Sequence, residues 1–191
     1  MILASRSPRR IELCREAGLD PRVEPADVDE APVPGESPFH LVERLARAKA
    51  AAIAARAAAS APGELVLAAD TIVSIDGELL GKPADEEGAR AMLARLSGRT
   101  HQVATGVALM RAGEPAAAAT SFVEVTDVAF YPLTEGEIAA YVATGEPMDK
   151  AGAYGIQGAG GRMLVRGIHG DFYNVVGLPI AAVMRRIRAM G

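Results

Sequence analysis

The first residues that could do chemistry lie near the start of the chain, where Ser5, Ser7, Arg9 and Arg10 follow a short apolar segment. At a junction of strand and helix, backbone N–H groups attract oxyanions, and serine hydroxyls and arginine guanidinium groups add donors for phosphate oxygens. An ordinary capped helix with solvated arginines uses the same residue types. Two arginines in a first helical turn favour the phosphate site, because the helix dipole opposes positive charge there unless an anion binds.

A second candidate is Asp70, which follows the apolar residues 65–69. We expect that segment to be a buried strand that ends at Asp70, and ligands of open α/β sheets bind at the carboxyl ends of strands. A carboxylate there can bind a divalent cation or accept a proton from water. An acid that only caps a turn would fit the same pattern.

Two further charged groups could complete a site around Asp70. The pair Asp76 and Gly77 predicts a tight hairpin, which would bring Lys82 back near Asp70. The Lys82 ammonium could then neutralise phosphate charge, and a solvated loop lysine is the alternative. Glu30 and the two aspartates shortly before it offer oxygen ligands for a metal ion, or form a solvated acidic loop.

Signatures of several other site classes are absent from the sequence. Residues 77–83 are one residue short of a P-loop and have proline where serine or threonine should hold magnesium. The glycines at 158–161 do not open a helix after a strand, so they do not support a dinucleotide-binding fingerprint. The three histidines lack zinc-ligand spacing, and no serine-hydrolase elbow is present.

Alternating strands and helices must position these residues, and Lys49 borders the apolar stripe of the second helix. The strands that we expect are 2–4, 65–69, 71–75, 101–110, 120–130, 163–168 and 172–176. The expected helices are 8–17, 38–61, 85–96, 134–143 and a last helix after Pro179. The glycine-rich residues 145–161 are typical of a functional loop.

Composition limits the class of protein. Half of the 191 residues are hydrophobic, and 20 Lys+Arg against 24 Asp+Glu give a net charge of −4, so neither nucleic acid nor an anionic membrane is an expected partner. No apolar run approaches the roughly 20 residues that span a bilayer, and the start of the chain lacks a signal-peptide pattern. The single cysteine, Cys14, suits a structural role in a reducing cytoplasm. We therefore expect one cytoplasmic domain over residues 1–191.

Six short segments carry a more specific signal. In chain order they are SRSPRR (5–10), ADT (69–71), GKP (81–83), LSG (96–98), DKAGAYGIQG (149–158) and NVVGLP (174–179). Together they resemble the Maf family of nucleoside triphosphate pyrophosphatases. The resemblance spans nearly the whole chain, and several segments in the same order are far more specific than any one of them.

This resemblance implies a mixed α/β fold similar to that of the inosine-triphosphate pyrophosphatases, with an elongated sheet flanked by helices and a central cleft between two lobes. It implies hydrolysis of a nucleoside triphosphate to its monophosphate and pyrophosphate by attack of water on the α-phosphate. The implied cofactor is a divalent cation, Mg²⁺ or Mn²⁺, and the implied assembly is a homodimer.

The resemblance also assigns roles to individual residues. Asp70 matches the proton acceptor that activates water. The phosphate-binding residues would be Ser5, Arg10, Lys49 and Lys82, the metal ligands Glu30 and Asp70, and the residues that set base preference Arg9, Thr71 and Gln157. In the dTTP/UTP branch of the family a threonine follows the catalytic aspartate, whereas the branch resembling 7-methyl-GTP hydrolases has glutamine. Thr71 therefore favours dTTP and UTP.

Two other functions fit the same resemblance. The family is associated with septum formation, so the protein could be a nucleotide-binding regulator of cell division that acts through protein contacts. It could also act on a nucleotide with a modified base. The set Asp70, Lys49 and Lys82 favours an enzyme, because a binding module needs no water-activating acid beside a phosphate site.

Overall fold

A computed structural model describes residues 1–190, and within that range seven strands form one mixed sheet. The strands are β1 (Ile2–Leu3), β2 (Arg22–Val23), β3 (Leu65–Ile75), β4 (Glu78–Leu80), β5 (Thr100–Arg111), β6 (Thr120–Phe130) and β7 (Val165–His169). Their order is β2-β1-β3-β5-β6-β7, with β4 paired to β3. Strand β1 runs parallel to β2 and β3, whereas β4 runs antiparallel to β3 and β7 antiparallel to β6.

Helices connect these strands. They are α1 (Pro8–Glu16), α2 (Pro38–Ala57), α3 (Glu86–Leu96), α4 (Glu135–Val142), α5 (Phe172–Val176) and α6 (Ile180–Ala189). The predicted mixed α/β fold is confirmed. Within residues 1–190 we find no helix with the length and apolar character needed to cross a membrane.

The chain forms two compact units, each assembled from separate segments. The first unit contains Met1–Asp70, Thr105–Glu124 and residues 177–190, and the second contains Thr71–Ala104 and Val125–Val176. Strands β3, β5 and β6 therefore contribute residues to both units. A single domain over residues 1–191 stays a prediction.

Helix α2 packs on the sheet of the first unit through small side chains. Ser37 begins the helix by accepting a hydrogen bond from the His40 amide at 3.2 Å. The contact includes alanines 46, 50, 54 and 57 of the helix and alanines 68 and 108 of the sheet. At Gly106 a Cβ atom would lie 2.2 Å from the Val42 carbonyl oxygen. Only glycine permits this close approach, which fixes the height of α2, and of its Lys49, above the sheet.

The prediction that a strand ends at Asp70 is wrong. Strand β3 continues without a break to Ile75, so Asp70 lies in its middle, between a buried half and the half that pairs with β4. The residues after Asp70 include three β-branched side chains in succession, which favour extended chain. The predicted hairpin is confirmed, because Asp76 and Gly77 both have positive φ, as a two-residue hairpin turn requires.

Residues 172–176 form the short helix α5, and the prediction of a strand there is wrong. The Asp171 carboxylate accepts a hydrogen bond from the Asn174 amide at 3.0 Å, in the manner of a helix cap. The Asn174 side-chain amide donates to the Val103 carbonyl at 3.0 Å. A local cap and a buried polar contact therefore override the extended tendency of the apolar residues.

A buried histidine lies in the core of the second unit. His101 Nε2 is 2.8 Å from the Tyr154 hydroxyl, and the ring packs edge-on against Phe130 and Tyr154. Among the described residues Nδ1 has no hydrogen-bond partner. Burial lowers the pKa of His101 from 6.5 to about 4, so the folded protein holds the ring neutral at physiological pH.

We expect His101 to make the fold sensitive to acid. Between pH 6.5 and 4 the unfolded chain binds a proton at this position and the folded chain does not, so the free energy of unfolding falls as pH falls. The full loss is about 3 kcal/mol. Urea unfolding of the wild type and of His101→Gln at several pH values measures it. An equal pH dependence in the two proteins would show that another group is responsible.

Candidate active site

The Lys49 ammonium joins two carboxylates in the first unit. Its Nζ atom lies 2.6 Å from Asp70 Oδ1 and 2.6 Å from Glu30 Oε1. The Lys49 and Asp70 side chains are 10% and 15% exposed, whereas Glu30 is 62% exposed. Lys49 comes from helix α2, Asp70 from the middle of β3 and Glu30 from the segment between β2 and α2. Glu30, Lys49 and Asp70, three predicted site residues that are distant in the sequence, thus form one ion-pair network.

Arg10 organises a second part of the same unit. Its Nε atom donates to the Gly177 carbonyl at 2.8 Å, and one terminal nitrogen donates to the Ala69 carbonyl at 2.8 Å and to Ser5 Oγ at 3.2 Å. Burial lowers the pKa of the Arg10 guanidinium, and the nearby Asp70 carboxylate partly offsets that effect. Arg10 therefore ties the start of α1 to the backbone immediately before Asp70.

The start of α1 differs from an ordinary capped helix. Ser7 occupies the N-cap position, yet its hydroxyl makes no capping hydrogen bond, and no acidic residue lies in the first turn. The Ser7 amide donates instead to Ser5 Oγ at 3.2 Å. Arg9, the neighbour of Arg10, is partly exposed in α1. Two arginines therefore lie at the start of a helix whose first turn contains no acidic residue, and such a helix start suits an anionic ligand.

The second unit holds the other predicted site residues, and we describe it by itself. Thr71 is partly exposed in β3, and Gln157 is exposed on the glycine-rich loop. Lys82 is exposed after β4, and its ammonium has no ion pair within residues 1–190. The adjacent Gly81 carbonyl accepts a hydrogen bond from the Gly152 amide at 3.0 Å, which attaches this turn to the loop. The position of Lys82 relative to Asp70 stays a prediction.

The glycine-rich loop has a shape that is fixed by side chains. The Tyr141 hydroxyl donates to Glu146 Oε1 at 3.0 Å and accepts from the Gly155 amide at 3.2 Å. A Cβ atom on Gly158 would lie 1.6 Å from the same Glu146 oxygen. Arg162 donates to the carbonyls of residues 157 and 158, both at 3.1 Å. Arg162 thus holds the backbone at Gln157 and Gly158, and Glu146 packs beside Gly158.

The whole described sequence matches the model of one protein family. The family model described as Maf-like protein matches residues 1–190. The chain belongs to the Maf family. The resemblance predicted from the six short segments is therefore confirmed.

Relatives cover the whole chain. A dTTP/UTP pyrophosphatase of Symbiobacterium thermophilum is 53% identical over 191 residues, which are 100% of this chain and 94% of that protein. Proteins of the same name from Anaeromyxobacter dehalogenans strain 2CP-C and Koribacter versatilis are 50% and 51% identical, again over 100% of this chain and 94% of theirs. A solved structure of a nucleoside-triphosphatase / dITP/XTP pyrophosphatase from Mycobacterium abscessus has a TM-score of 0.41 and 16% identity, covering 99% of this chain and 94% of that chain.

The acidic residues of this Maf-family chain form a small donor set. The Glu30 Oε1 and Asp70 Oδ1 atoms each lie 2.6 Å from the Lys49 ammonium, so the two carboxylates are close together around that group. Asp29, also considered as a ligand, accepts a hydrogen bond from the Ala31 amide at 2.9 Å and so shapes the local turn. Within residues 1–190, no three His, Cys, Asp or Glu side chains are grouped to hold a metal ion.

Some residues of the site carry no signal in the sequence. Arg44 and Glu36 pair across the segment that holds Glu30, and Tyr141 and Glu146 fix the glycine-rich loop. None of the four lies within the short segments that identified the Maf family. A proline directly after Glu146 and the clustered glycines indicate a shaped loop, but they do not reveal which side chains support it.

Proposed function

We propose that this Maf-family chain hydrolyses nucleoside triphosphates, dTTP and UTP first among them, to the monophosphate and pyrophosphate. The main support is Asp70, a largely buried carboxylate held at 2.6 Å by Lys49 and flanked by Arg10. A carboxylate at this position can accept a proton from water. The relatives that cover the whole chain are named dTTP/UTP pyrophosphatases.

Asp70 acts as the general base in this proposal. Lys49 donates to Oδ1, and within residues 1–190 Oδ2 has no hydrogen-bond partner. Oδ2 can therefore accept the proton of a water molecule that attacks the α-phosphate. The carboxylate cannot rotate freely while Lys49 holds its other oxygen, so the base is oriented before the substrate binds. Ser5, Arg10 and Lys82 bind phosphate oxygens and stabilise the charge that develops during attack.

The carboxylates of Glu30 and Asp70 fit a divalent cation. Both carboxylates lie 2.6 Å from one positive charge, the Lys49 ammonium, so two sets of hard oxygen atoms are held close together beside a cationic group. Magnesium is commonly held by one or two carboxylates, with phosphate oxygens and water as the remaining ligands, so two acids suffice. Such an ion supplies positive charge to the phosphates and lowers the pKa of water. We propose Glu30 and Asp70 as its ligands, with Mg²⁺ and Mn²⁺ as the candidates.

Base preference is proposed to depend on Arg9, Thr71 and Gln157. The fixed backbone around Gln157 supports this role, because a side-chain amide on a rigid loop can distinguish the donors and acceptors of a base edge. Thr71 matches the threonine of the dTTP/UTP branch. The names of the full-length relatives favour the same two nucleotides.

We further propose a cytoplasmic homodimer that binds no nucleic acid. Burial raises the pKa of the lone Cys14 thiol to about 11, so it stays protonated and unreactive, as a structural cysteine does. The net charge of −4 disfavours nucleic acid. Exposed apolar side chains on and after β7, namely Ile168, Phe172 and Tyr173, support a contact between two copies.

Pyrophosphate release from a panel of canonical and modified nucleoside triphosphates tests the proposal. We expect release from dTTP and UTP with Mg²⁺ or Mn²⁺, and loss of release on addition of a chelator, because the carboxylates alone add negative charge to a triphosphate site. A preference for a modified base would redirect the substrate assignment. Measurable nucleotide binding without release from any member of the panel would instead favour the regulator of cell division.

A further inference from the structure

The segment between β2 and α2 carries Glu30, and Arg44 of helix α2 binds the middle of this segment. Arg44 donates from Nη2 to the Ala31 carbonyl at 3.0 Å, directly after Glu30. The same guanidinium makes two hydrogen bonds to Glu36, at 2.7 Å from Nε and 2.8 Å from Nη2. Glu36 also accepts a hydrogen bond from the Val33 amide at 3.2 Å. Arg44 and Glu36 therefore connect the segment to the helix that provides Lys49.

Glu30 itself has little else to hold it. Its side chain is 62% exposed, and its ion pair is with Lys49. An exposed carboxylate loses conformational entropy when it binds an ion, and that cost decreases if the backbone beside it is already fixed. The hydrogen bond from Arg44 to the Ala31 carbonyl fixes the backbone at the next residue.

The pair of Arg44 and Glu36 is a strong one. Two parallel hydrogen bonds between a guanidinium and a carboxylate give directional as well as electrostatic stabilisation. Hydrogen bonding to Arg44 lowers the pKa of Glu36 to about 2, so both partners are charged at neutral pH. The attachment is therefore constant and does not act as a pH switch.

We propose that Arg44, clamped by Glu36, is a positioning residue for the divalent cation: it fixes the backbone next to Glu30 so that the Glu30 carboxylate faces Asp70 and Lys49. This inference rests on the proposed role of Glu30 as a metal ligand. It assigns no chemistry to Arg44 itself, which acts only through the backbone of the segment.

The chain offers a matched control on the same helix. Arg56 donates to Glu24 Oε2 at 3.1 Å and to the Pro25 carbonyl at 3.4 Å, so it attaches the beginning of the same segment to α2. Its contacts lie several residues before Glu30. Arg56→Met therefore removes an arginine and a loop attachment of the same kind, without releasing the backbone beside Glu30.

Mn²⁺ binding to the full chain without nucleotide, followed by electron paramagnetic resonance, tests the proposal. We expect Arg44→Met to weaken Mn²⁺ binding about tenfold, as loss of a group that orients a metal ligand commonly does. Glu36→Gln should weaken it less, because the amide keeps one acceptor for Arg44. Arg56→Met should bind Mn²⁺ as the wild type does.

Other outcomes overturn the proposal. Unchanged Mn²⁺ affinity in Arg44→Met, an equal loss in Arg56→Met, or no Mn²⁺ binding by the wild type would each contradict it. Thermal unfolding of each variant shows whether it is folded, and Arg44→Lys, which keeps the charge but not the paired hydrogen bonds, replaces Arg44→Met if that variant does not fold. Because binding is measured without turnover, a failure of the proposed hydrolysis would appear separately, as metal binding without pyrophosphate release.

Discussion

Replacing Asp70 by asparagine is expected to lower the rate of pyrophosphate release about 10³-fold or more, because the amide cannot accept a proton from water. The variant keeps the shape of the side chain and an oxygen that can accept the hydrogen bond from Lys49. The amide oxygen can also still ligate a cation, so nucleotide affinity should change far less than turnover. Initial rates with dTTP, together with calorimetric titration of a non-hydrolysable analogue, measure the two effects separately.

Asp29→Asn provides the control for this experiment. Asp29 is an exposed aspartate whose Oδ1 accepts a hydrogen bond from the Ala31 amide, and asparagine keeps that acceptor. We expect its turnover to match the wild type. If Asp70→Asn retained wild-type turnover, Asp70 would not be the general base. If it lost nucleotide binding as well, its main contribution would be to the binding site.

Replacing Lys82 by alanine is expected to lower kcat about 10²-fold, as loss of one oriented charge at a transition state commonly does. The ammonium makes no ion pair among the described residues, so its removal breaks no ion pair in the free protein. The effect should therefore appear in catalysis rather than in folding. Steady-state rates with dTTP, with kcat and KM determined separately, measure it.

Two control variants, Lys82→Arg and Arg90→Ala, show whether the loss of rate in Lys82→Ala is specific to this position. Lys82→Arg keeps the positive charge and should recover part of the rate, whereas Arg90→Ala removes an exposed cation from α3 of the same unit and should leave the rate unchanged. An increase in KM with unchanged kcat in Lys82→Ala would place Lys82 in substrate binding alone. A loss of rate in Arg90→Ala would point to the overall charge of the unit instead.

Features set by neighbouring residues were predictable from the sequence. The hairpin at Asp76 and Gly77 follows from their tolerance of positive φ, and the start of α2 follows from Ser37 and the proline after it. The cluster around Ser5 and Arg10 was also visible, since its residues lie within six positions. In each case the chemistry that decides the structure is contained in a short segment.

Features set by distant residues were not predictable from local pattern. Extended chain was predicted on both sides of Asp70, but the local sequence does not show that the two segments form one continuous strand, whose second half pairs with β4. The ion pairs of Lys49 join residues 19 and 21 positions away in the sequence, which no periodicity encodes. The division into two interleaved units depends likewise on long-range contacts.

The close approach of β5 to α2 has a consequence for how related sequences should be interpreted. At Gly106 the backbone of the helix occupies the space that any side chain would need. The position is therefore closed to substitution for a purely steric reason, although it touches none of the proposed catalytic groups. If related sequences also have glycine at this position, the short distance between helix and sheet explains it, and the glycine should not be taken as a sign of substrate binding.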